Sequence, residues 1–208
     1  MNLDRQAFAG MLCSAADLME EQSDRLSEID SRFGDGDHGV TIAKIARLIR
    51  QRAQLWQEES FQEFLEDLGM AIMEVKGGSA GPLYGTMVGG LGTQLEGVTL
   101  LDSQAVQQMF QGCLSEMQDV TTAKVGDKTM MDALIPAVEA VQQSSGEPQE
   151  LFRVAAQAAQ DGARASEGFI SKFGRARSYK EQTIGTPDAG AVSTSLFFQG
   201  LYQGIPQA

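Results

Sequence analysis

The stretch Val106-Gln107-Gln108-Met109-Phe110-Gln111-Gly112-Cys113-Leu114-Ser115-Glu116-Met117 decides the fold class. Its apolar residues, Val106, Met109, Phe110, Cys113, Leu114 and Met117, recur at i, i+3, i+4, i+7, i+8 and i+11, which draws one stripe down a helix. A strand would alternate them. Met131, Leu134, Ile135, Val138 and Val141 repeat the pattern, and upstream Phe8, Leu12, Ala15 and Met19 begin another helix. Ile42, Ile45, Ala46 and Ile49 mark a short helix, and Phe61, Phe64, Leu65 and Leu68 a further one. The stripes read as core-facing surfaces. Further helices fall near 81–96, 148–170 and 189–203, making about eight in all. No alternating run supports a strand, and no repeat, low-complexity tract or linker divides the chain. The expectation is one all-α domain over 1–208, built of antiparallel helices.

A chain of 208 residues supports one substantial core. Sixteen Lys and Arg against 28 Asp and Glu give a net charge of −12, which argues against general affinity for nucleic acid or anionic membrane. Any bound anion must be held locally. Cys13 and Cys113 match no metal or redox spacing and read as buried thiols in a reducing compartment. The start, Met1-Asn2-Leu3-Asp4-Arg5, lacks the form of a signal peptide. Residues 77–95 carry no charge, but seven of these nineteen are glycine, too many for a membrane span. A cytoplasmic protein is expected.

Chemistry concentrates in Asp30-Ser31-Arg32-Phe33-Gly34-Asp35-Gly36-Asp37-His38-Gly39, which packs three carboxylates and the single histidine into ten residues. Carboxylates are hard ligands for Mg²⁺ or Ca²⁺, and three so close repel one another unless a cation intervenes. A solvated acidic turn is the simpler alternative. The EF-hand register fails, because a loop begun at Asp35 has Gly39 at its fifth position and Ala46 at its twelfth. Mg²⁺ held by a few carboxylates takes its other ligands from water and phosphate, so a phosphate site is the next requirement.

Glycine-rich loops offer one. Gly77-Gly78-Ser79-Ala80-Gly81-Pro82 precedes an apolar helix, with Pro82 suited to its first turn. Free N–H groups at such a helix start bind anions, while Gly81, Gly85 and Gly89 also let a neighbouring helix pack closely. Gly126-Asp127-Lys128-Thr129-Met130 opens another helix, where Asp127 or Thr129 could cap and Lys128 could meet a phosphate. Lys172-Phe173-Gly174-Arg175-Ala176-Arg177 is a basic cluster in an acidic chain, and Gly185-Thr186-Pro187-Asp188-Ala189-Gly190 begins the last helix. Arginine's planar fork suits phosphate, and a solvated turn is the alternative. No Walker A sequence, dinucleotide fingerprint or G-x-S-x-G elbow occurs.

In this order, Gly34-Asp35-Gly36-Asp37-His38-Gly39, Gly77-Gly78-Ser79-Ala80-Gly81-Pro82-Leu83-Tyr84-Gly85-Thr86, Gly126-Asp127-Lys128-Thr129-Met130, and Gly174-Arg175-Ala176 with Asp188-Ala189-Gly190 resemble the nucleotide-binding L subunit, or L domain, of dihydroxyacetone kinases. The resemblance covers nearly the whole chain. It implies a closed barrel of about eight up-and-down helices, with ADP or ATP bound at one end among the interhelical loops.

Carried over by position, Asp30, Asp35 and Asp37 would hold two Mg²⁺ ions and, with Arg175, form the catalytic set. His38, Gly39 and Thr41, at the start of the second helix, would flank the nucleotide, with Gly78, Ser79 and Ala80 in the phosphate loop. Thr129 would bind the nucleotide and Met130 contact its adenine side, while Arg175 would reach the phosphates and Asp188, Ala189 and Gly190 line the pocket. The resemblance further implies a kinase subunit active only with a ketose-binding K subunit, since the sugar-binding histidine has no counterpart here. Standalone members keep ADP and are recharged by a phosphohistidine protein of the phosphotransferase system, whereas single-chain members use exchangeable ATP. A homodimer is also open. Lys44, Arg47 and Arg50 read as a solvated basic face or, failing that, a docking surface.

Three departures bear on substrate. The family's Gly-Gly-Ala-Ser-Gly-Pro becomes Gly77-Gly78-Ser79-Ala80-Gly81-Pro82, Thr41 stands for an Asn, and Arg177-Ser178-Tyr179-Lys180-Glu181 for Ser-Tyr-Leu-Gly-Glu. They point to a paralogue that differs in sugar, partner or nucleotide retention. The alternatives are a non-catalytic nucleotide-binding regulator, the L subunit of an ATP-dependent kinase for another short sugar, and a Mg²⁺-dependent phosphatase.

Overall fold

The computed structural model of the chain describes residues 2–206. These form nine α-helices: α1 Arg5–Glu21, α2 Ser23–Asp30, α3 His38–Leu55, α4 Phe61–Met73, α5 Ala80–Gly90, α6 Ser103–Val120, α7 Met131–Gln143, α8 Pro148–Ala165 and α9 Ala189–Gln203. Short 3-10 segments span Ser166–Gly168 and Arg175–Thr183. Among the described residues the only β pairing is an isolated bridge between Leu3 and Leu101.

The apolar stripe of residues 106–117 lies on α6, where Val106, Met109, Phe110, Cys113 and Met117 are buried. Phe110 stacks on Phe198 of α9 at 5.2 Å and meets Phe152 of α8 edge-on at 5.8 Å. A second aromatic group gathers Phe8, Trp56, Phe61 and Phe64, with Trp56 and Phe64 face to face at 4.0 Å. From α3 onward consecutive helices pack side by side, α9 returns to α1, and α1 rests on α3, so the ring closes around one core.

Helix starts follow local chemistry. Asp4 caps α1, Asp102 caps α6 and Asp188 caps α9, each accepting a backbone N–H three residues on. Ser60 and Glu63 form a reciprocal capping box on α4. The α4–α5 contact depends on glycine. A Cβ on Gly69 would sit 2.6 Å from the Gly89 Cα and 2.7 Å from the Gly85 carbonyl oxygen, so the two backbones touch.

Two expectations need correction. The count of eight omitted α2, a mostly polar helix with only Leu26 buried, set off from α1 by a bend at Gln22. The helix after the acidic loop is also α3 rather than α2, and with 18 residues it is long. No helix among the described residues is long and apolar enough to cross a membrane. Cys113 is buried and Cys13 half-buried, and both are free thiols.

Candidate active site

The connections α2–α3, α4–α5, α6–α7 and α8–α9 converge at one end of the barrel and enclose a cleft of about 340 Å³. Asp30 ends α2. The chain then turns sharply, with Gly34 N–H donating to the Asp30 carbonyl at 2.7 Å and Gly36 at φ +74°. Asp37 starts α3. The curl lets one oxygen from each of Asp30, Asp35 and Asp37 lie within 4.8 Å of the others.

Electrostatics divide the three. Desolvation and the neighbouring charge of Asp35 push the Asp37 carboxyl up. At Asp35 desolvation also pushes upward, but the hydrogen bond and charge of Arg175, together with hydrogen bonds from its own backbone and from Asp37, jointly outweigh it and hold the carboxyl low. Three oxygen donors on one point, two of them in mutual repulsion, form a donor set fitted to a hard divalent cation.

Across the cleft, Gly77 at φ +153° presses on Thr41, and a Cβ there would lie 1.9 Å from the Thr41 hydroxyl oxygen. Gly78 follows at φ +51°, and α5 starts at Ala80 with no side chain capping its first turn. Its first N–H groups therefore remain available to an anion.

His38 anchors the wall between these loops. Its Nε2 lies 2.9 Å from the Ser193 hydroxyl, which Tyr84 O–H reaches at 2.7 Å and which itself donates to the Gly190 carbonyl at 3.1 Å. With the Ser193 hydrogen on Gly190, the imidazole donates through Nε2. Burial pulls the His38 pKa down, so the neutral ring is favoured. Burial raises that of Tyr84, which stays protonated.

The α6–α7 loop differs from its expected role. Lys128, at φ +61° and only 5 % exposed, turns inward and donates to the carbonyls of Ser166 at 2.7 Å and Phe169 at 3.1 Å. Of the two expected caps, the Thr129 hydroxyl accepts the N–H of Met131, the first residue of α7, at 3.2 Å, and Asp127 does not reach the helix. Asp132, within the helix, accepts the N–H groups of Gly126 and Thr129 at 2.6 Å each, while Asp127 accepts from Lys124 N–H and pairs with Lys172. Ser166 accepts the Asp188 N–H at 2.9 Å, and burial pushes the Asp188 carboxyl up to about 7.

Of the residues singled out from sequence, Asp30, Asp35, Asp37, His38, Gly78, Ser79, Ala80, Thr129, Met130, Arg175, Asp188, Ala189 and Gly190 line the cleft. Gly39 and Thr41 do not. A Cβ on Gly39 would fall 1.8 Å from the Ser23 carbonyl oxygen, so this glycine serves the α2–α3 contact, and Thr41 is buried beneath Gly77. Sequence reasoning missed Tyr84, Ser193 and the inward turn of Lys128. Tyr84 belongs to the glycine-rich motif of residues 77–86, whereas nothing local marks Ser193. Of the suggested docking cations, Arg47 and Arg50 are ion-paired to Glu20 and Asp17, and Lys44 donates to the Lys76 carbonyl.

Residues 32–203 match the DAK2 domain. The chain belongs to the DAK2-domain family. Its DhaL-type character follows from a relative matched over nearly the whole of both chains, the PEP-dependent dihydroxyacetone kinase 2, ADP-binding subunit DhaL, of Listeria innocua. The two are 30% identical, over 99% of this chain and 97% of the relative. The D-erythrulose kinase of Mycolicibacterium smegmatis is 34% identical over 92% of this chain, which spans only 33% of that enzyme. Among solved structures, the dihydroxyacetone kinase of C. freundii superposes with a TM-score of 0.73 at 28% identity, covering 94% of this chain and 34% of that one. The same enzyme in complex with AMP-PNP and Mg²⁺ superposes at 0.71 with 25% identity.

Proposed function

We propose that this DAK2-domain chain is the nucleotide-binding subunit of a short-ketose kinase, passing a phosphoryl group from a Mg²⁺-bound adenine nucleotide to a sugar held by a separate K subunit. The observation that carries the reading is the convergence of Asp30, Asp35 and Asp37 on one point of a cleft whose opposite wall is the glycine loop Gly77–Gly78 and the uncapped start of α5.

In this reading Asp30, Asp35 and Asp37 hold two Mg²⁺ ions, which when bound neutralise charge on the transferred phosphoryl oxygens. Gly78, Ser79 and Ala80 cradle the phosphates through backbone N–H groups. Thr129 and Met130 border the base, and Asp188, Ala189 and Gly190 wall the pocket. Neutral His38, fixed by Ser193, keeps the start of α3 against that wall. Arg175 contributes positive charge toward the phosphates. The cleft holds no spare histidine for a ketose, so turnover requires the K partner.

The similarity to a DhaL subunit over 97% of that subunit favours retained ADP recharged by a phosphohistidine protein of the phosphotransferase system. The similarity to an erythrulose kinase favours a second reading, exchangeable ATP with a four-carbon sugar. Denaturing the protein purified without added nucleotide, and weighing what is released by mass spectrometry, separates them. Near-stoichiometric ADP supports the first, and an empty chain that binds ATP reversibly supports the second. A chain that binds neither nucleotide overturns the proposal.

A further inference from the structure

Asp35, one of the three clustered carboxylates, also receives the guanidinium of Arg175 from the α8–α9 connection. That ion pair has company. The ring of Phe33 lies 5.2 Å from that of Tyr179, and Arg32 Nη1 donates to the Thr186 hydroxyl at 3.3 Å. Residues 174–186 thus form a strap fastened to the acidic loop by an ion pair, a ring contact and a hydrogen bond. Within the 3-10 segment Arg175–Thr183 only Thr183 is buried, so side-chain fastenings rather than a packed core hold the strap. Gly174 at φ +61° and Gly185 at φ +87° mark its two ends.

Resting on the metal reading above, we infer that Arg175 is an intrachain latch: its guanidinium and a divalent cation compete for Asp35, and cation binding frees Arg175 to turn into the cleft. The competition is one of lone pairs and charge. A hard cation in direct contact draws on the same carboxylate whose Oδ2 the guanidinium engages, and two cations on one carboxylate repel. Arg175 lines the cleft, so once released it faces the place assigned to phosphate oxygens. The strap then moves with the metal, and the Phe33–Tyr179 and Arg32–Thr186 contacts serve as its remaining anchors.

The probe is Mn²⁺ alone, titrated into the full nucleotide-free chain while free Mn²⁺ is followed by electron paramagnetic resonance. Arg175→Gln should bind Mn²⁺ about three- to five-fold more tightly than wild type at low ionic strength, the range of an exposed ion pair. At saturating Mn²⁺ the same variant should bind ADP more weakly. Arg177→Gln removes an equal charge two residues away without touching Asp35 and should leave Mn²⁺ affinity nearly unchanged. Equal tightening in both variants, or none in Arg175→Gln while wild-type binding is abolished by Asp30→Asn, overturns the latch and leaves the metal site standing. If neither wild type nor Arg175→Gln binds Mn²⁺, the metal reading falls and the latch with it.

Discussion

The Lys128 ammonium donates to the carbonyl oxygen of Ser166 at 2.7 Å, and the hydroxyl of the same serine accepts the backbone N–H of Asp188 at 2.9 Å. One buried cation thereby ties the start of α7 to the end of α8 and the start of α9. Lys128→Met would keep the side-chain bulk and leave two carbonyls without their donor, at about 1–3 kcal/mol. In a chain of this size each kcal/mol shifts Tm by about 2–4 °C. Thermal melts followed by circular dichroism should show a loss of roughly 2–12 °C, with ADP binding weakened because the cleft wall loosens.

Asp188 makes stability depend on pH. Its folded pKa of about 7 lies above the ordinary carboxylate value of 3.8, so the folded chain holds a proton that the unfolded chain has released. The stabilisation is full below about pH 4 and is lost as pH rises through 7. Asp188→Asn keeps a good helix cap but cannot ionise. Between pH 5 and pH 8 its Tm should fall less than that of wild type by a few degrees. Parallel curves for the two proteins would contradict a raised Asp188.

Backbone contact between α4 and α5 leaves no room for a methyl group. Gly69→Ala would place a carbon 2.6 Å from the Gly89 Cα, costing about 1–3 kcal/mol through forced separation of the helices. Gly10→Ala is the control, because nothing lies within 4 Å of the added carbon and α1 gains about 0.5–1 kcal/mol of helix propensity. Opposite shifts in urea midpoint are the expected result.

Asp30→Asn, Asp35→Asn and Asp37→Asn remove charge from the acidic cluster while keeping its shape. Each should lower Mg²⁺-dependent ADP affinity by about 100-fold or more, the loss of a direct ligand, with an unchanged helical spectrum. Calorimetric titration measures the first and circular dichroism the second. Full affinity in all three would be incompatible with a metal centre here.

Periodicity located every helix that buries a broad stripe, such as α6 with Val106 to Met117 and α7 with Met131 to Val141. It missed α2, because a helix that buries Leu26 alone carries no stripe. The site was legible where the chemistry is local, in the acidic loop and the glycine loop. It was illegible where a side chain turns against its usual habit. A lysine between Asp127 and Thr129 reads as solvent-facing, yet the left-handed conformation of Lys128 sends it inward to carbonyls about forty residues away in sequence. Gly39 and Thr41 sit in a motif next to the cleft but face a helix and a glycine, since position in a motif does not fix direction on a helix.

The cleft draws on every second connection of the ring, while 91–102 and 144–147 lie at the far end, where Ser103 donates to the Gly146 carbonyl. No contiguous fragment therefore owns the site. A cut within 91–102 leaves the acidic and glycine loops on one piece and Met130, Arg175 and Asp188 on the other. The chain has the layout of a split reporter, in which the complete cleft is regained only when the two halves find each other.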